Sequence, residues 1–218
     1  MGSSVRWSTV FVATVALAAP GAAHAAAVTT DKACYKAGEA GTLSVSGFLS
    51  GSTVDATVEG QPMVNLLPDG SGAASAPFTP LASPETGETT ETLTATDALN
   101  AAVTAQVTYR VTATELTMSP SSAKLGAKVT WRLSGFGAGN AYLHVARRNA
   151  KGKTVTVRTL KLGALTGPCG ALTARTAQLP LARPEPGTTY LLRFNTRNSP
   201  TAAALVQRTV RTPKAKRS

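Results

Sequence analysis

The chain has 218 residues, 15% of them charged and 5% aromatic, with a formal net charge of +11, two cysteines and two histidines. So few cysteines and histidines exclude a Cys/His zinc cluster. Long helical periodicities are absent, and short alternating runs separated by Gly, Pro and Thr point to an all-β fold.

In chain order, the N-terminus comes first. Trp7 to Ala19 is an uncharged apolar run of 13 residues that follows Arg6 and is broken by Pro20-Gly21. It is shorter than the roughly 20 residues of a spanning helix. Ala23-His24-Ala25 places small residues at −3 and −1 of a cleavage point after Ala25. Residues 1–25 therefore read as a cleaved secretory signal peptide.

Residues 26–112 follow. Val28 to Lys32 and Gly41 to Gly47 read as strands, the second with Leu43 and Val45 on one face. Val54, Ala56 and Val58 give a third core face. Met63 to Leu66 leads into the Pro68-Asp69-Gly70 turn. Pro77 to Gly87, with Pro77, Pro80 and Pro84, reads as a long connection. Leu93 and Ala95 resume the alternation, and Val103, Ala105, Val107, Tyr109 and Val111 form the clearest inward face. Asp31, Asp55, Glu59, Asp69, Glu85, Glu88, Glu91 and Asp97 are dispersed, match no calcium-loop spacing, and read as solvated surface.

Residues 113–212 repeat the pattern. Val45-Ser46-Gly47-Phe48-Leu49-Ser50-Gly51 recurs 88 positions later as Leu133-Ser134-Gly135-Phe136-Gly137-Ala138-Gly139, and Gly38 and Leu43 align with Gly126 and Trp131. One supersecondary unit thus occurs twice. Val129, Trp131 and Leu133 alternate, with Trp131 as a core plug. Leu143 and Val145 look inward, with Tyr142, His144 and Arg147 on the other face. Asn149 to Gly152 turns a hairpin, and Thr154 to Leu162 returns through Val155 and Val157. Tyr190, Leu192 and Phe194 form another core face. Residues 213–218 read as a disordered basic tail.

Charge divides the chain. Residues 26–112 hold 3 Lys/Arg and 9 Asp/Glu, whereas residues 113–218 hold 18 Lys/Arg and 2 Asp/Glu. Either the second half meets an anionic partner or the halves attract each other. The hairpin residues Arg147, Arg148, Lys151, Lys153, Arg158 and Lys161, with no acid among them, are the candidate contact. Cys34 and Cys169 fall one in each half, so a disulfide would join the halves. Two buried thiols or an intermolecular bridge are the alternatives, and a bridge needs Cα atoms within about 7 Å.

Catalytic constellations are scarce. His144 has no second His or neighbouring Cys for zinc, no nucleophile elbow accompanies it, and it reads as an ordinary strand residue. The Gly-rich turn at Gly135 joins two strands and cradles no phosphate. No cofactor is expected.

Ala33-Cys34-Tyr35-Lys36-Ala37-Gly38 ahead of a Ser-Gly-Phe-x-x-Gly turn, the later turn running on to Tyr142-Leu143-His144-Val145, Leu162 to Gly170, and Pro186-Gly187-Thr188-Thr189-Tyr190 together resemble secreted immunoglobulin-like proteins of actinobacteria. The resemblance implies tandem Ig-like domains and export, and supplies no activity. The expectation is two immunoglobulin-like Greek-key β-sandwiches, 26–112 acidic and 113–212 basic, in a non-enzymatic secreted or envelope-associated protein. Its basic domain would meet anionic cell-wall polymer or membrane headgroups, without sequence-specific nucleic-acid binding. The alternative is an accessory carbohydrate- or peptide-binding module using the loops near Phe48, Phe136 and Tyr142. An enzyme would need an enclosed polar pocket around His144.

Overall fold

The computed structural model describes residues 25–214. Of the leader only Ala25, and of the basic tail only Pro213 and Lys214, fall inside that range; the readings made on the rest lie outside the described residues. Every regular element described is a strand.

The first half holds β1 (Ala27–Thr30), β2 (Cys34–Lys36), β3 (Gly41–Ser46), β4 (Val54–Val58), β5 (Gln61–Leu66), β6 (Ala74–Phe78), β7 (Glu88–Asp97) and β8 (Thr104–Thr112). They form a three-stranded sheet, β1-β3-β6, and a five-stranded sheet, β2-β8-β7-β4-β5. The second half holds β9 (Glu115–Ser119), β10 (Lys128–Ser134), β11 (Asn140–Arg148), β12 (Thr154–Ala164), β13 (Leu172–Ala177), β14 (Thr189–Asn195) and β15 (Val206–Arg211). Its sheets run β13-β10-β9 and β12-β11-β14-β15. With β2 set aside, the sheet orders of the two halves coincide.

Alternation explains the packing. Leu43 and Val45 on β3, and Val129, Trp131 and Leu133 on β10, are buried, while the residues between them face outward or lie half-buried. Each half has its own hydrophobic cluster fed by both of its sheets. Tyr35, Leu43, Val54, Leu93 and Tyr109 are central in the first, and Trp131, Leu143, Leu192 and Phe194 in the second. Large side chains buried on the facing sides of two sheets are the main stabilising term of such layered folds.

The repeated Gly-Phe turn is held the same way twice. The Phe48 amide donates to the Gly72 carbonyl at 3.2 Å, and the Phe136 amide to the Gly170 carbonyl at 3.2 Å. A Cβ on Gly72 would lie 2.3 Å from the Phe48 oxygen, and one on Gly170 1.9 Å from the Gly137 oxygen. Only glycine allows that approach. A second correspondence links the strands after the proline-rich connections. The Tyr190 hydroxyl on β14 accepts from the Glu185 amide at 2.9 Å, and Glu91 Oε1 on β7 accepts from the Ala82 amide at 2.6 Å.

One strand was not foreseen and two readings change. Cys34–Lys36 is a strand, pairing parallel with β8 and burying Tyr35 completely. The stretch around Pro77 is not all connection, since Ala74–Phe78 is the edge strand β6. An edge tolerates a residue without an amide hydrogen. Finally, Val155 and Val157 are 43% and 40% exposed, because β12 is an edge strand with two register shifts against β11.

Candidate functional site

The predicted contact cluster lies on the β11–β12 hairpin but is not one surface. Cross-strand partners share a side of a sheet. Arg147 is paired in register with core-facing Tyr190, and its guanidinium forms an ion pair with Glu185. Arg158 stands opposite buried Val145 and donates to the Pro180 carbonyl. Both are therefore tied to the proline-rich segment that closes the open edge of the core. Lys161 stands opposite Tyr142 on the other side of the sheet. Arg148, Lys151 and Lys153 are exposed at the hairpin end, where the Asn149 side chain accepts from the amides of Lys151 and Lys153 at 3.0 Å each and fixes the turn.

Other arginines of this half are also held internally. Arg193 donates to the carbonyls of Pro200 and Ala202, and Arg208 to that of Ser121. Lys128, Arg132 and Arg175 are exposed on the outer face of the β13-β10-β9 sheet and have no hydrogen-bonding or ionic side-chain partner among the described residues. Sequence reasoning missed this group, although the alternation of β10 already placed Lys128 and Arg132 opposite the Val129, Trp131, Leu133 face.

Asp31, Asp55, Glu59, Asp69, Glu85 and Glu88 are exposed as the sequence suggests, but Glu91 and Asp97 are buried, and several of the acids also hold local structure. Asp97 is buried and accepts from the Ser52 hydroxyl at 2.6 Å and from the amides of Leu49, Leu99 and Asn100. Its carboxyl is held below the ordinary range, first by Ser52 and then by those amides. Asp31 accepts from the Thr42 amide and the Tyr35 hydroxyl, and both lower its pKa. Tyr35 in turn is pushed up to about 12, by burial first and by Asp31 second. Asp69 caps its own turn through Ser71 and Ala73, which hold its carboxyl low. Glu88 pairs with Arg110, and Glu91 is buried beside Tyr109, whose hydroxyl burial pushes well up. Each described ion pair lies within one half, so the halves do not neutralise each other through salt bridges.

The halves meet at a covalent link. Cys34 and Cys169 form a disulfide with a Cα separation of 5.2 Å across 135 positions of sequence. Cys34 sits on β2, and Cys169 precedes Gly170 in the loop that locks the Phe136 turn. The Gly87 amide donates to Glu115 Oε1, and a Cβ on Gly135 would lie 2.1 Å from the Ala113 oxygen, so the chain crosses between the halves in close backbone contact. A groove of about 440 Å³ runs beside the disulfide, with Lys36 and Glu39 on one side and Ala138 and Pro168 on the other.

The loop aromatics form no exposed platform. Phe48 and Phe136 are 4% and 3% exposed, and Tyr142 stacks on His144. His144 lies on β11, and although it is on the side of the strand away from Leu143 and Val145 it is buried, 1% exposed. Its Nε2 faces the Arg197 backbone carbonyl oxygen at 3.1 Å and the Asn195 side-chain Oδ1 at 3.2 Å and so donates to them, while Nδ1 meets the Thr159 hydroxyl at 2.9 Å. The segment after β14 folds over this face and covers the ring. Its polar atoms are engaged with structural partners, leaving no open position for a reacting group. Among the described residues no three His, Cys, Asp or Glu side chains come together as a metal site.

No protein-family model matches the chain, and no curated protein matches it. Solved structures give distant likenesses. A Salmonella alpha-2-macroglobulin reacted with methylamine is 13% identical at a TM-score of 0.28, covering 87% of this chain and 15% of that one. A tetra-tandem repeat from the extending region of a large adhesion protein is 16% identical at 0.29, covering 86% and 49%. The Pseudomonas aeruginosa CupB2 chaperone is 11% identical at 0.27, covering 83% and 96%. This chain spans less than two thirds of the first of these structures, and at these scores the likeness carries no argument.

Proposed function

We propose that this is an exported, non-enzymatic protein of two immunoglobulin-like sandwiches, 26–112 and 113–212, whose basic second half attaches it to anionic polymer of the cell envelope or extracellular matrix. The fold reading is supported by the matching sheet orders and by the Tyr190 hydroxyl reaching back to the Glu185 amide, an arrangement found at the corresponding corner of Ig-type sandwiches. The resemblance to actinobacterial secreted proteins belongs to the same proposal. Export is supported by the leader pattern and by a disulfide, which persists in oxidising compartments.

One observation carries the functional reading: Arg147 is the one second-half cation ion-paired to a carboxylate among the described residues. Acids of the first half cap loops instead of meeting these cations. A field of unneutralised Lys and Arg draws anionic polymers from solution. Neutralising Arg148, Lys151, Lys153 and Lys161 together to Gln should weaken binding of the mature chain to purified envelopes at least threefold. Neutralising Asp55, Glu59 and Glu85 should leave it unchanged or stronger. Envelope binding indifferent to the loss of the hairpin charges would contradict the reading. The alternative through loop aromatics loses support from the burial of Phe48 and Phe136.

A further inference from the structure

The outer face of the β13-β10-β9 sheet differs from the rest of the basic half. β10 is its central strand, and Arg132 stands in register with Thr117 on β9 and Thr173 on β13. Around it a shallow groove of about 420 Å³ is walled by Glu115, Thr117, Ser134, Thr166 and Thr173. That volume lies at the lower end of the roughly 300–1,000 Å³ range of small-ligand sites. Along the same face Arg175 stands opposite Thr130, and Lys128 stands opposite Ala177. The surface is thus a row of cations set among small hydroxyl side chains.

We infer that this groove binds an anion-bearing polyol, a saccharide or polyol chain carrying carboxylate or phosphate groups, with Arg132 as the anchoring residue. The inference rests on the proposed attachment to anionic polymer and names its recognition site. Arg132 offers a planar fork of donors, unclaimed inside the protein, that matches carboxylate and phosphate oxygens. Thr117, Thr173 and Ser134 supply hydroxyls that donate and accept, as alternating polyol hydroxyls require, and Thr166, whose hydroxyl donates to the Ala171 carbonyl, can accept. Glu115 gives one oxygen to the Gly87 amide and keeps the other to accept from a ligand hydroxyl. Arg175 and Lys128 extend the positive track for further anionic units.

Other occupants fit less well. No large exposed apolar side chain lies on this face, the exposed set being Leu49, Leu67, Leu81, Leu99, Val155, Val157 and Leu205. A membrane surface would have nothing to take up there beyond charge. No aromatic ring lies in the groove, so stacked bases have no platform. The acidic half of a second copy is a weaker partner, because Asp31, Asp69, Glu88, Glu91 and Asp97 already hold their own loops and strands and only dispersed acids such as Asp55, Glu59 and Glu85 are left exposed.

The test uses the full mature chain at ~50 mM salt with polygalacturonate for the carboxylate source, poly(glycerol phosphate) for the phosphate source and dextran as the neutral polyol. Wild type should bind at least one anionic polymer and not dextran. Arg132→Gln should weaken that binding at least tenfold, and Arg132→Lys should fall between. Lys151→Gln/Lys153→Gln, which removes more charge, should weaken it no more than threefold. Which polymer binds identifies the anionic group. Equal or smaller loss from Arg132→Gln than from the hairpin pair would overturn the groove and leave the general electrostatic reading standing. Failure of wild type to bind either polymer, or equal binding of dextran, would overturn both. Arg132 is exposed, and an unchanged melting curve of the Gln variant assigns the loss to binding.

Discussion

Asp97 shows how single side chains in the first half convert charge into loop structure. Its carboxylate accepts from one hydroxyl and three amides in a buried position. Those bonds favour the ionised form, and Ser52 contributes most. The folded-state pKa therefore lies below the ordinary 3.8, so the stabilisation is complete above that value and fades as pH falls through the lower one. The melting temperature of the protein should hold steady above about pH 4 and fall as the pH drops below it, where such depressed carboxylates become protonated. Asp97→Asn should lower the melting temperature at pH 7 and flatten this acid dependence. A variant that melts like wild type at pH 7 would show that these contacts hold nothing.

At the scale of the strand, β12 is the exposed edge of its sheet. The run Thr154 to Leu162 has high β-propensity, and Val155 and Val157 lie open to solvent. Such an edge invites pairing with another chain unless charges interrupt it. Lys161 and Arg158 stand on that edge, and the register shifts against β11 bend it. Part of the positive charge first read as a contact surface would on that ground guard the edge. Lys161→Val should raise concentration-dependent light scattering severalfold at neutral pH, and unchanged scattering would remove this role from Lys161.

Strands with clean alternation, β3, β8 and β10, were legible because burial on one face leaves a period of two in the residues. The short β2 was not, since its pairing is with β8, far away in sequence. Ala74, Ala76 and Phe78 do alternate on β6, but small residues and Pro77 hide the pattern. The cover over His144 was illegible for a related reason, arising from contacts with Thr159, Asn195 and Arg197 that no local pattern records. The Cys34–Cys169 bridge was one of three readings that the cysteine count left open, and the Cα separation of 5.2 Å selects it. The groove at Arg132 required knowing which arginines are held inside the fold.

For the whole molecule, the disulfide joins two hydrophobic clusters and braces neither from within. Cys34→Ser/Cys169→Ser should therefore leave the far-ultraviolet spectrum intact and move melting by only a few degrees. It should also increase the radius of gyration in solution scattering as the halves separate about Thr112 and Ala113. Loss of folded structure in either half would show that the bond supports a core. Charge acts at the same scale: acids concentrated in one half stabilise its loops, and the free cations of the other face outward.

Co-sedimentation of the chain from residue 26 to 218 with purified envelopes across a salt series tests that claim most directly. Binding through several cation–anion contacts releases counterions, so affinity should fall at least tenfold between about 50 and 200 mM salt. Salt-independent binding, or no binding at the lowest salt, would contradict the account.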